Sequence, residues 1–187
     1  MDNRAEHAGA SDEVTTIYSS QALHNLWPLP LAQQWHDQYP GLFDSDDIRL
    51  SRTQPVNHFS EWYAAIHLFQ RDGAISLMEK YVYPSHSLKL ARYRSVLSED
   101  QLRELESIRK WGGREEKVQL PDLFVMTPDF SSFSFAEVKG PGDRLSQNQI
   151  ESHAAIRNRL GVPVEIIKVV LVDPSQLESA SQPLDSK

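Results

Sequence analysis

The chain has 187 residues, enough for one domain with some extra at the ends, and 40% of them are hydrophobic, as in an ordinary globular protein. It has no cysteine, which excludes disulfides, thiolate-held zinc or iron–sulfur clusters, and a thiol nucleophile. With 26 acidic against 19 basic residues the net charge is −7, which argues against a nucleic-acid partner unless the basic residues are gathered on a separate face.

Residues 1–20 are small and polar without a period and are expected to be disordered. They lack the basic-then-apolar pattern of a secretory signal. No apolar run approaches the roughly 18 residues that span a bilayer, so a cytoplasmic location and no membrane partner are expected. Residues 21–56 hold Trp27, Trp35, Tyr39, Leu42 and Phe43 among four prolines. That is too apolar for a free tail, and it predicts an extension packed on the core as short helices and loops.

The core domain is expected over residues 57–173. Asn57 or Ser60 can cap a helix that runs to about Arg71, with Phe59, Tyr63, Ile66 and Phe69 at helical spacing and Asp72-Gly73 as its stop. Residues 75–83, ISLMEKYVY, are strand-like at their end. Residues 86–110 are helix-rich, with a capped start at Ser98 and a stop at Trp111-Gly112-Gly113. VQLPDLFVM and SFSFAEV are two β-prone runs around Thr127-Pro128-Asp129, which predicts a hairpin. Residues 146–160 suit a helix ended by Gly161. VPVEIIKVVLV, 162–172, is almost continuously apolar and predicts a strand buried on both faces. Residues 174–187 read as a polar tail. The order predicts an α/β domain.

Acidic residues cluster at Asp44, Asp46 and Asp47 and at Glu99, Asp100, Glu104 and Glu106. Basic residues gather at Arg92 and Arg94, at Lys110, Arg114 and Lys117, and at Lys139, Arg144, Arg157 and Arg159. The seven histidines show no zinc spacing, and His58 and His67 read as helix-surface residues.

The chemistry concentrates in two places. In a strand, residues i and i+2 share a face, so Glu137 and Lys139 lie side by side. A hairpin pairing brings Asp122, after Pro121, near Glu137. Two carboxylates that close repel unless a cation lies between them, and Mg²⁺ takes one or two carboxylates plus water and phosphate oxygens. Gly140-Pro141-Gly142 ends the strand, and Asp143 or Ser146 can cap the helix that follows, its first amides aimed at the site.

P-D followed by E-V-K in a hairpin, and then G-P-G-D-R-L-S-Q-N-Q to Gln149, resembles the VRR-Nuc family of the PD-(D/E)XK nucleases. The likeness is tight over residues 121–149 and loose over 57–172. It implies a restriction-endonuclease-like fold, a central mixed β-sheet flanked by helices. It implies Asp122, Glu137 and the Val138 carbonyl as ligands of Mg²⁺ or Mn²⁺, Lys139 as the catalytic lysine and Gln149 as a helix residue at the site. A glutamate on the first core helix, Glu61, is implied as a further ligand, with Glu79 as its rival. Arg144 is expected to clamp a phosphate of DNA. The implied activity is a metal-dependent DNA endonuclease. The favoured setting is an antibacterial toxin, delivered into the cytoplasm of a target bacterium and held by an immunity protein that covers the site. The alternatives are a junction- or flap-processing repair nuclease and, in another class, a catalytically silent binding module.

Overall fold

The structure, a computed structural model, describes residues 13–53, 58–78, 80–110 and 119–176. Residues 1–12, Asn57, Glu79, the Trp111-Gly112-Gly113 stop, Arg114, Lys117 and residues 177–187 lie outside the described part.

Among the described residues, five strands form one sheet in the order β1-β5-β4-β3-β2. They are β1 (Glu13–Ser20), β2 (Ile75–Met78), β3 (Leu123–Met126), β4 (Phe133–Lys139) and β5 (Val164–Val172). β2, β3 and β4 are antiparallel neighbours, whereas β5 runs parallel to both β4 and β1. Helices cover both faces of this mixed sheet, the arrangement expected for a restriction-endonuclease-like core.

Each face follows from strand alternation. Leu123, Val125, Ala136, Val138, Ile167 and Val169 point to one side, where α4 (Phe59–Asp72) buries Phe59, Trp62, Ala65, Ile66 and Leu68. Phe124, Met126, Phe135 and Val164 point to the other, against Tyr93 of α5 (Ser87–Val96), Leu105 and Ile108 of α6 (Glu99–Arg109), and Ile156 of α7 (Gln147–Leu160). Fully burying one such aromatic or aliphatic side chain is worth about 1.5–3 kcal/mol.

Residues 21–53 pack on the α4 side as α1 (Gln21–His24), α2 (Leu31–Gln38) and α3 (Ser45–Thr53). Phe43 stacks on Trp62 with ring centroids 3.8 Å apart, and Trp27 and Trp35 crowd Phe59 and Trp62. A buried ion pair, Asp47 on α3 with Lys89 on α5, ties this segment to the core, and Lys89 also donates to the Met78 carbonyl at 2.9 Å. The packed extension expected from residues 21–56 is thus the form that its described part, 21–53, takes.

Several local expectations meet the structure unchanged. The hairpin joins β3 and β4 with Leu123 opposite Ala136, Ser98 starts α6 with a reciprocal capping box, and Gly161 ends α7 in the left-handed region.

Others do not. The burial of β5 on both faces holds only for its first half: Val164, Ile166, Ile167 and Val169 are buried, whereas Lys168 and Val170 are exposed. Residues 13–20 are a strand and not a disordered start: Ile17 and Ser19 turn inward while Val14 and Tyr18 stay exposed, and the whole run pairs with β5. The strand in ISLMEKYVY is at its beginning, Ile75–Met78, because only these residues reach β3; Tyr81 instead buries its ring against Tyr93 and Phe124. The residue that opens α4 is His58, in the left-handed region at φ 77°, and Phe69 is exposed while Trp62 takes the buried stripe. His58 is buried and His67 half-buried, so neither is a free surface histidine.

Candidate active site

The site lies where β4 ends, β3 begins, and α7 and α4 start. Leu123 pairs with Ala136, so one step along the same register sets Asp122 opposite Glu137. Both side chains lie on the α7 face, the side to which Phe124 and Phe135 also point.

Asp122 Oδ2 accepts the Val138 backbone N–H at 2.9 Å. In a strand the N–H and C=O of one residue leave on the same edge. The Val138 carbonyl therefore also faces the edge beyond the start of β3, where β3 no longer offers a partner. The peptide before Asp122 is pinned by Tyr81, whose buried hydroxyl donates to the Pro121 carbonyl at 2.7 Å.

Glu137 is 1% exposed and is approached from three sides. Lys139 Nζ donates to Glu137 Oε1 at 2.7 Å. Gln149 Nε2 donates to the same oxygen. His153 Nε2 stands 3.4 Å from Glu137 Oε2. Lys139 also donates to Gln149 Oε1 at 3.2 Å, which closes a ring of three side chains.

Two neighbouring carboxylates in one buried place respond oppositely. Burial, then the charge of Glu137 and that of Glu61, hold the Asp122 carboxyl well above its usual range, against the Val138 N–H and Lys139. Burial alone would raise Glu137 too, but His153 and Lys139 outweigh it and place its carboxyl below the usual glutamate range. Glu61, in the first turn of α4, is thus near enough to act on Asp122, and its Oε1 is 4.0 Å from His58 Nδ1.

Gly140 lies close against the start of α4. A Cβ there would come within 3.1 Å of Ser60 Oγ and 3.2 Å of Asp143 Oδ2. The chain then turns through Pro141 and Gly142, the latter at φ 85°, with the Asp143 N–H returning to the Gly140 carbonyl at 3.1 Å.

Ser146 is the cap of α7, in a reciprocal box with Gln149. The Ser146 N–H donates to Gln149 Oε1 and the Gln149 N–H to Ser146 Oγ. Of the first-turn amides of α7, expected to aim at the site for phosphate, that of Gln149 is thus taken by the capping box. Arg144 is exposed on the loop before α7. Glu79 lies outside the described residues.

The structure therefore gathers Asp122, Glu137, Lys139 and Gln149, with Val138 between them and Glu61 at the margin. The reading of the residues missed Tyr81 and His153. A signal for His153 existed, since it follows Gln149 by four residues on a helix and must share its face.

Among the described residues no group of three His, Asp or Glu side chains is gathered closely enough to hold a metal alone. The donors present are two mutually repelling carboxylates and a strand carbonyl. That set fits a hard divalent cation that keeps several positions for water and phosphate oxygens.

The VRR-NUC domain profile matches residues 101–171. The matched stretch holds Asp122, Glu137, Val138, Lys139, Gln149 and His153, while α4 with Glu61 lies before it. No curated protein matches the chain. The crystal structure of paFAN1 bound to 2nt 5'flap DNA with gap is 23% identical over 68% of this chain and 24% of that chain, with a TM-score of 0.27. The chain thus spans about a quarter of that protein's length. Over residues 101–171 this chain is similar to VRR-NUC domains.

Proposed function

We propose that the chain is a metal-dependent deoxyribonuclease that hydrolyses phosphodiester bonds at the Asp122–Glu137–Lys139 cluster. The observation that carries this reading is a lysine and two carboxylates gathered at one strand end, Glu137 and Lys139 buried and Asp122 half-buried, with Lys139 Nζ 2.7 Å from Glu137 and the Asp122 carboxyl raised by desolvation and by Glu137. Structural ion pairs are seldom built with an excess of buried negative charge, because desolvation penalises it. The similarity to VRR-NUC domains over the same residues supports the reading.

Asp122, Glu137 and the Val138 carbonyl would hold Mg²⁺ or Mn²⁺, with Glu61 reaching it from α4. The ion would supply an activated water and offset charge on the phosphate oxygens. Lys139 donates hydrogen bonds to an oxygen of the scissile phosphate or of the attacking water, once it turns from Glu137. Gln149 keeps the lysine in place through Oε1 and the carboxylate through Nε2. Arg144 clamps a neighbouring phosphate of the DNA.

The test is a cleavage panel of supercoiled, linear, flap and four-way-junction DNA with Mg²⁺ and Mn²⁺. Metal-dependent cleavage that EDTA stops is expected. No cleavage together with no metal binding would favour a silent binding module.

An antibacterial toxin restrained by an immunity protein is the favoured setting. A net charge of −7 implies weak unspecific affinity for DNA, which an enzyme that needs only occasional cuts tolerates. A structure-specific repair nuclease is the alternative, and the flap and junction arms of the panel address it.

A further inference from the structure

A buried imidazole is an expensive way to fill space. His153 is 1% exposed and lies on the inner face of α7 beside Ser152, Ala155 and Ile156. A methionine or leucine would occupy that place without losing the hydration of two ring nitrogens. What distinguishes the position is its neighbour: His153 Nε2 stands 3.4 Å from Glu137 Oε2.

The two oxygens of Glu137 are thereby served from different directions. Oε1 takes Lys139 Nζ and Gln149 Nε2, the side chains at the mouth of the site. Oε2 faces His153, which comes from one turn deeper along the same helix. Gln149 and His153 are four residues apart, so α7 presents both to one carboxylate as a rigid pair. A carboxylate bonded at one oxygen and faced by an imidazole 3.4 Å from the other has less freedom to turn about its last torsion. One gripped on Oε1 alone can swing away when Lys139 leaves for a phosphate.

We propose that His153 is a positioning residue: it holds Glu137 Oε2 so that the carboxylate keeps one orientation while Lys139 exchanges partners. The assignment rests on the metal-nuclease reading of the same cluster. Groups that orient a metal-binding carboxylate affect affinity as well as rate, so the consequence is visible without any reaction.

The experiment is calorimetric titration of Mn²⁺ into the full chain, with thermal unfolding of the metal-free proteins alongside. His153→Met is expected to weaken Mn²⁺ binding about tenfold or more, while the metal-free protein melts no lower than wild type. His153→Gln, which restores a donor, is expected to recover binding to within about threefold. Binding by His153→Met as tight as wild type, or equal loss in both variants, overturns the assignment. Should His153→Met fail to fold, the ring-nitrogen spectrum of the wild type decides: the His153 Nε2 resonance moves on Glu137→Gln if the contact is made, and its constancy overturns the proposal. A wild type that binds Mn²⁺ with the His153 dependence but cuts no DNA sinks the nuclease reading and leaves His153 in place. A wild type that binds no Mn²⁺ sinks both.

Discussion

Gln149 makes two structures at once with Glu137 and its own helix. Its Nε2 donates to Glu137 Oε1, and its Oε1 accepts from both Lys139 Nζ at 3.2 Å and the Ser146 N–H at 2.9 Å. The same amide therefore starts α7 and bridges the lysine to the carboxylate. Gln149→Ala leaves Ser146 as the cap but removes the side-chain half of the box; it should lower stability by about 1 kcal/mol, the net worth of a hydrogen bond, and cleavage by about 10-fold or more, as for other groups that orient a metal ligand. Gln149→Glu keeps the box but sets a third carboxylate against Glu137. Its metal-free melting temperature should fall below that of Gln149→Ala, and added Mn²⁺ should raise it further than it raises wild type. Melting with and without metal checks both.

Glu61 lies in the first turn of α4, which packs on the other face of the sheet. Glu61→Gln removes a negative charge that presses on Asp122. The metal-free protein should be as stable as wild type or slightly more so, whereas Mn²⁺ affinity should fall about tenfold. Titration calorimetry reads the affinity. Unchanged affinity would remove Glu61 from the ligand set and leave Glu79 as its rival.

Asp47 supplies a pH dependence remote from the site. Burial, opposed by the charge of Lys89, pushes its carboxyl up from 3.8 to about 6. The folded state thus binds this proton more tightly than the unfolded state. Stability from this group is present below the unfolded value, declines as pH rises between the two, and is flat above. The double variant Asp47→Leu/Lys89→Met lacks the term and should be neutral or more stable at pH 7. Its advantage over wild type should grow by about 3 kcal/mol between about pH 4 and 7, since each pKa unit is about 1.4 kcal/mol. Urea unfolding across that range checks the slope. Lys89→Met alone leaves the carboxylate buried without its partner and should cost about 3–5 kcal/mol.

Local chemistry was legible in the residues. The E-V-K alternation, the S-x-x-Q box at Ser146 and the glycine stop of α7 each depend on neighbours within a few positions, and each appears where the pattern puts it. The failures are non-local. β1 has no period of its own beyond a weak alternation, and it becomes a strand because β5, some 150 residues on, offers an edge. In ISLMEKYVY both ends are β-prone, and the choice between them is made by β3 and by the Tyr81 bond to Pro121. His153 escaped because its partner sits on a strand, so no histidine spacing announces it. The residues left Asp143 and Ser146 both open as the cap of α7, and the hydrogen bonds assign it to Ser146 in a box with Gln149.

Expression in a bacterial cytoplasm separates the two biological settings. Growth arrest with DNA breaks, absent in Lys139→Ala, is the expected result for a toxin. Harmless expression of an active wild type would favour a repair nuclease.

The most direct measurement is plasmid cleavage by purified wild type and Lys139→Ala in Mn²⁺, at equal loading and with matched circular dichroism. Lys139 is buried and bonded to Glu137 and Gln149. The account predicts cutting by wild type and none detectable by a folded Lys139→Ala protein. Full activity in Lys139→Ala would contradict it.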